Sequence, residues 1–153
     1  MPSCTFLVGV PGSGKSTWIS HRIPHREHTT LISTDHVIEY IADAYEMTYD
    51  ESFKDLIKFA EKVMWKSLED AVHFQDNIVI DRTNLTEKSR ARFIKYLEGY
   101  KFYAVVFPTP EQEEWERRLN SRPGKTIPKS VLESMHLEYP KCSEGFEWIQ
   151  NAS

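Results

Sequence analysis

The sequence predicts an α/β domain: a three-layer sandwich around a parallel sheet, with helices on both faces and a helical lid. Apolar runs that read as buried strands occur at Thr5-Val10, Thr30-Ser33, Asn77-Asp81 and Phe102-Phe107, each followed by a segment with helical signals. That alternation builds parallel sheets. The first run leads into Gly9-Val10-Pro11-Gly12-Ser13-Gly14-Lys15-Ser16, a glycine-rich turn of the kind that wraps phosphate at the start of a helix. At 153 residues, with 40% hydrophobic and 27% charged side chains, the chain has enough material for one core, and residues 1–153 are read as a single domain.

The glycines of the first turn let the strand stop sharply and open a helix whose first N–H groups point at an anion. Lys15 can reach the β- and γ-phosphates of a nucleoside triphosphate, and the Ser16 hydroxyl is a hard oxygen ligand suited to Mg²⁺. Gly12, Ser13, Gly14, Lys15, Ser16 and Thr17 are therefore the candidate nucleotide-binding residues. A plain Gly-Ser turn is the alternative, but it has no need of Lys-Ser at the helix start.

The second strand ends in Ser33-Thr34-Asp35-His36, at the carboxyl edge where open parallel sheets bind ligands. Asp35 can take a proton from an attacking hydroxyl or simply cap the next helix; the neighbouring phosphate loop favours the first. His36 is read as structural. Phe53, Leu56, Ile57, Ala60, Val63, Met64, Leu68, Ala71 and Val72 recur at spacings of three and four, so Glu51 to Phe74 reads as an amphipathic helix, with Met64 and Trp65 in the core.

Asn77-Ile78-Val79-Ile80-Asp81 has the form of a Walker B strand that delivers Asp81 toward the metal. Thr83 and Asn84 follow, either as turn residues or as contacts to an acceptor. Thr86 can cap a helix running to about Glu98, and Thr109-Pro110-Glu111-Gln112 reads as a capping box before a helix that carries Trp115 through Leu119. Arg118 and Arg122 lie one helical turn apart, beside Pro123-Gly124-Lys125 and a helix expected from Pro128 to Met135 or Leu137. The stretch from about 117 to 135 reads as a basic, hinged lid able to place arginine on donor phosphates; a solvated helix end beside its dipole is the alternative, but the coincidence of two arginines, a Gly-Lys loop and a new helix favours the lid. The C-terminal Tyr139 to Ile149 is expected to fold its aromatics back onto the body.

The net charge of -4 lacks the large positive field of a duplex-binding protein, so contact with nucleic acid would rest on local clusters. These are Lys88, Arg90, Arg92 and Lys95, then Arg117, Arg118, Arg122 and Lys125; Glu111, Glu113, Glu114 and Glu116 read as a solvated helix face. Cys4 and Cys142 form no metal-ligand pattern, the first residues include no basic and apolar leader, and no run approaches membrane-spanning length. A reducing, cytoplasmic setting is expected, with no membrane partner.

These features resemble the kinase domain of polynucleotide 5'-hydroxyl kinases, both the phage type and the kinase half of the animal kinase/phosphatase. The likeness runs through Gly9 to Thr17, the Asp35 strand end, Ile78-Val79-Ile80-Asp81-Arg82-Thr83-Asn84, Ser89-Arg90-Ala91-Arg92-Phe93-Ile94, Arg118-Leu119-Asn120-Ser121-Arg122 and Glu144-Gly145-Phe146. No Asp-x-Asp-x-Thr phosphatase pattern accompanies it. The resemblance implies a P-loop NTPase/kinase fold that uses ATP and Mg²⁺. Lys15 and Ser16 would bind triphosphate and metal, Asp35 would act as general base on a 5'-hydroxyl end of DNA or RNA, and Arg122, with Arg118 nearby, would contact donor phosphates.

Ile38 stands where the phage enzymes carry an arginine, and Thr34 where an arginine is common. Both departures concern the acceptor side, for which Arg82 and Arg90 are candidate contacts. A kinase for a hydroxymethylated base or a small hydroxyl compound, and a non-catalytic nucleotide switch, are the alternative readings.

Overall fold

Five parallel strands form the sheet of the computed structural model, which describes residues 2–46, 48–122 and 126–152, with the backbone alone for 51–55. They are β1 (Ser3–Val8), β2 (Thr29–Ile32), β3 (Asn77–Asp81), β4 (Lys101–Val106) and β5 (Phe146–Asn151), side by side in the order β2-β3-β1-β4-β5. Successive residues of β1 serve opposite faces, as a pleated strand requires. Cys4, Phe6 and Val8 join Met64, Leu68, Phe93, Leu97 and Phe146 in one core, while Leu7 joins Trp18, Ile19, Val79, Val105 and Phe107 in the other. The helices α3 (Tyr49–His73) and α4 (Glu87–Tyr96) cover the first face and α1 (Lys15–Arg22) the second. The three-layer α/β expectation is met.

The expected strands lie within two residues of the observed ones, and α3 follows the apolar periodicity, with Ala60, Met64, Leu68 and Ala71 all buried. Trp65 stacks on Phe93 at 5.3 Å. The side chain of Phe53, expected on the same stripe, lies outside the described residues. Among the described residues no helix is long and apolar enough to cross a membrane.

Two expectations are corrected and one is met in a new form. The C-terminal aromatics fold back onto the body as expected, as part of a fifth strand at residues 146–151: Phe146 turns into the core against Phe6 at 5.6 Å, and Trp148 lies on the rim against Tyr103. An edge strand needs apolar residues on fewer positions than a central one, so it lacks the continuous run that marks the other four. The helix α5 (Gln112–Asn120) starts after Glu111, with no side-chain cap among the described residues, so Thr109 and Pro110 lie ahead of it and not in a capping box. The short α6 (Lys129–Glu133) ends before Met135.

The helix α4 begins with a capping box: Thr86 Oγ1 accepts from the Ser89 amide, and Ser89 Oγ accepts from the Thr86 amide. This start places Arg90 in the core with no exposed surface. Its Nε and Nη2 donate to the two carboxylate oxygens of Glu144 at 2.9 and 3.1 Å, and Nη1 donates to the Asn84 carbonyl at 2.8 Å. The expectation of an acceptor contact at Arg90 is therefore corrected, since no substrate can reach it. Removing one partner of a buried ion pair strands the other charge, at about 3–5 kcal/mol. Arg90→Ala should lose that much stability in urea denaturation, and Arg90→Met with Glu144→Leu should recover most of it.

Candidate active site

The chain leaves β1 between β3 and β4, the point where the strand order reverses and where parallel sheets leave a crevice. The loop that follows needs its glycines at three positions. A Cβ on Gly9 would stand 2.6 Å from Ser13 Oγ and 2.9 Å from Phe107 Cβ. Gly12 and Gly14 have φ of +77 and +109, a region that favours glycine. Lys15 is buried and donates from Nζ to the Gly9 and Val10 carbonyls at 2.6 and 3.1 Å. Ser13 Oγ is buried with no hydrogen-bond partner among the described residues, as expected of a group that faces an anion site. Ser16 and Thr17 are exposed at the start of α1.

Asn84 sets the height of β3 beside this loop. Its side-chain amide donates to the Leu7 carbonyl at 2.8 Å and the Ile80 carbonyl at 3.2 Å, while the Gly9 amide donates to the Thr83 carbonyl at 3.0 Å. Asn84 is thus a buried strand clip; the turn reading holds and an acceptor contact is corrected. Asp81 comes to rest at the cleft wall. Burial pushes its carboxyl above the ordinary value, against the opposing pull of Lys15 and His36. Ser16 and Asp81 are the hard oxygen donors that could hold Mg²⁺, which commonly takes one or two protein oxygens and shares substrate phosphates.

Asp35 lies in the first turn of α2 (Thr34–Ala44), but the cap is Ser33, whose Oγ accepts from the His36 amide at 3.4 Å. Capping therefore does not account for Asp35. Its carboxylate lines the cleft with the phosphate loop and accepts a 2.5 Å hydrogen bond from the Tyr49 hydroxyl. His36, read as structural, also lines the cleft, with Nε2 3.8 Å from Asp81 Oδ2. Ile38 is fully buried, whereas Glu39 lines the cleft.

The opposite wall is α5. Trp115 Nε1 donates to the Pro11 carbonyl at 2.6 Å and Arg118 Nη1 to the Gly12 carbonyl at 3.1 Å. Glu114, expected on a solvated face, instead lines the cleft and binds Arg117 and Arg118. Their hydrogen bonds lower its carboxyl to about 2. Arg122 also lines the cleft, and its Nε and Nη2 are buried without hydrogen-bond partners among the described residues. The Pro123-Gly124-Lys125 turn of the expected lid lies outside the described residues.

The whole cleft, of about 820 Å³, thus brings together Lys15, Ser16, Asp35, Asp81, Arg118 and Arg122. Thr83 and Arg82 reach it too, but Arg82 is paired with Glu61 at 3.0 Å. Unpartnered Ser13 and Arg122 atoms, a concave loop and a buried ammonium fit a polyphosphate with its metal.

A carboxyl raised in the folded state favours its protonated form, so the contribution of Asp81 to stability is fullest below the ordinary range near 3.9 and is lost as pH rises through the folded value. Asp81→Asn should therefore raise the melting temperature of the nucleotide-free protein at neutral pH and not near pH 3. It should also shrink the further rise given by ATP with Mg²⁺. Thermal melts with and without ATP and Mg²⁺ at both pH values check this.

Comparison with known proteins places the chain. Heterogeneous nuclear ribonucleoprotein U-like protein 2 of Mus musculus is 25% identical over 87% of this chain and 19% of its own length. UMP-CMP kinase 3 of Arabidopsis thaliana is 28% identical over 81% of this chain and 63% of its own length, so the chain spans less than two thirds of either relative. Among solved structures, a candidate kinase from Chloroflexus aurantiacus matches with a TM-score of 0.69 at 15% identity, covering 98% of this chain and 87% of its own. The Pnkp1/Rnl/Hen1 complex matches with a TM-score of 0.58 at 22% identity, covering 90% of this chain and 44% of its own. At these identities the structural matches speak to the fold, which is P-loop kinase-like. The family model for the AAA domain (AAA_33) matches residues 5–141, and the chain belongs to that family.

Proposed function

We propose that the chain is an ATP-dependent phosphotransferase that moves a γ-phosphate to the 5'-hydroxyl ends of DNA or RNA. The observation that carries this reading is the Asp35 carboxylate in one cleft with the phosphate loop and Arg122. A hydroxyl acceptor must shed its proton as it attacks, and a carboxylate can take it. A phosphate acceptor is already ionised and would meet the negative charge of Asp35, Glu39 and Asp81.

In the step proposed, the acceptor oxygen forms a bond to the γ-phosphorus and gives its proton to Asp35. The bond to the β–γ bridging oxygen breaks, and ADP leaves. Lys15 would exchange its two loop carbonyls for phosphate oxygens. Arg122, with two guanidinium nitrogens unpartnered among the described residues, and Arg118 would supply positive charge to the donor phosphates. Magnesium held by Ser16 and Asp81 would neutralise charge on the donor phosphates.

The polynucleotide assignment is supported by the order of the motifs along the chain. Thr83 and Arg82 are the remaining candidates on the acceptor side. A second reading, a small hydroxyl compound as acceptor, is favoured by one observation. Where the phage enzymes place an arginine this chain buries Ile38, and Glu39 takes the adjoining place on the cleft wall.

The test is transfer of labelled γ-phosphate from ATP with Mg²⁺ to 5'-hydroxyl DNA, 5'-hydroxyl RNA, DNA with hydroxymethylated bases, nucleosides and nucleoside monophosphates. Label on the polynucleotide ends is expected, and Asp35→Asn should lower kcat by about 10²–10⁴-fold while ATP affinity stays nearly unchanged. Label confined to small compounds would transfer the assignment to the second reading. Absence of label on every acceptor would leave a nucleotide-driven switch.

A further inference from the structure

We propose that Tyr49 is a positioning residue for Asp35, holding the carboxylate oriented for the acceptor proton. This rests on the phosphotransferase reading above. Tyr49 is the first residue of α3, Asp35 is in the first turn of α2, and the two helices lie against each other. Their contact brings the phenol Oη to Asp35 Oδ1. A carboxylate oxygen accepts hydrogen bonds, so the phenol O–H donates to Asp35 Oδ1 and leaves Oδ2 to face the cleft or another donor.

The bond also fixes a torsion that is otherwise loose. The terminal torsion of an Asp side chain is broad and roughly two-fold, whereas a general base has to sit within hydrogen-bond reach of the proton it removes. The phenol stays a donor. Burial, the hydrogen bond to Asp35 and the nearby charges of Asp35 and Glu39 all push its ionisation well above the ordinary tyrosine range, with only Arg122 opposing.

Tyr49 itself is absent from the cleft wall that Asp35 and Glu39 line, so its action on substrate passes through Asp35. The start of α3 is anchored as well. Asp50 accepts from the Thr126 amide with both carboxylate oxygens, at 3.0 and 2.9 Å. One helix start thus touches the general base on one side and the segment that follows Arg122 on the other.

The test is a double-mutant cycle on acceptor phosphorylation, with Tyr49→Phe, Asp35→Ala and the pair. Tyr49→Phe should lower kcat about tenfold, leave ATP affinity and the melting temperature unchanged, and lower nothing further in the Asp35→Ala background. An unchanged kcat, an equal loss in both backgrounds or loss of the fold would each overturn the inference while the phosphotransferase reading stood. If the wild-type chain labelled no acceptor, both would fall together.

Discussion

The buried guanidinium of Arg90 is the constraint on which the site geometry rests. It joins three segments distant in sequence: α4 that bears it, the Asn84 turn after β3, and Glu144 ahead of β5. A charge with no exposed surface is tolerable in the folded chain only when its donors are met, so all three segments have to arrive together. Asn84, held in a left-handed conformation with φ of +48, then spends its side-chain amide on the carbonyls of Leu7 and Ile80. That clip fixes the ends of β1 and β3 at one level. The phosphate loop leaves the first end and Asp81 stands on the second, so their relative placement comes from the scaffold and not from the loop. A site held on rigid elements keeps reacting groups in register.

Electrostatics in the cleft divide its cations into two groups. Arg82 is paired with Glu61 and Arg117 with Glu114, whereas Lys15 and Arg118 donate to carbonyls of the phosphate loop, Arg118 also to Glu114, and Arg122 has two nitrogens with no hydrogen-bond partner among the described residues. Neutral carbonyls are weaker partners for a cation than phosphate oxygens, so under the proposed function a triphosphate would displace them without dismantling the fold. Its binding would then rest on local charge, in a chain whose net charge is -4.

Most of the fold was legible because central parallel strands are buried on both faces and α3 keeps one apolar stripe; such patterns need no knowledge of distant contacts. The phosphate loop and Asp81 were legible for the same reason, as each lies directly after a strand. What escaped depends on tertiary contact. Ser33 and Asp35 are both good caps two residues apart, and only the backbone decides between them. Arg82 and Arg90 look alike as exposed charges until Glu61 and Glu144, far along the chain, claim one each. Tyr49 gave no local sign at all, since its meeting with Asp35 requires α2 and α3 to fold back on each other.

The cleft wall that carries Asp35 is shaped by the phase of α2. Thr34, Ile38 and Ala42 are its buried residues, a strict spacing of four that sets the core face of the helix. An arginine at position 38 would point into that core, so the acceptor contact seen in phage enzymes cannot simply be restored here by substitution. Asp35 and Glu39, also four apart, both reach the cleft. That wall presents two carboxylates to the cleft. They favour hydrogen-bond donors and cations over anions, and under the proposed function a polynucleotide acceptor would have to bring its 5'-hydroxyl to Asp35 with its phosphates directed away from α2.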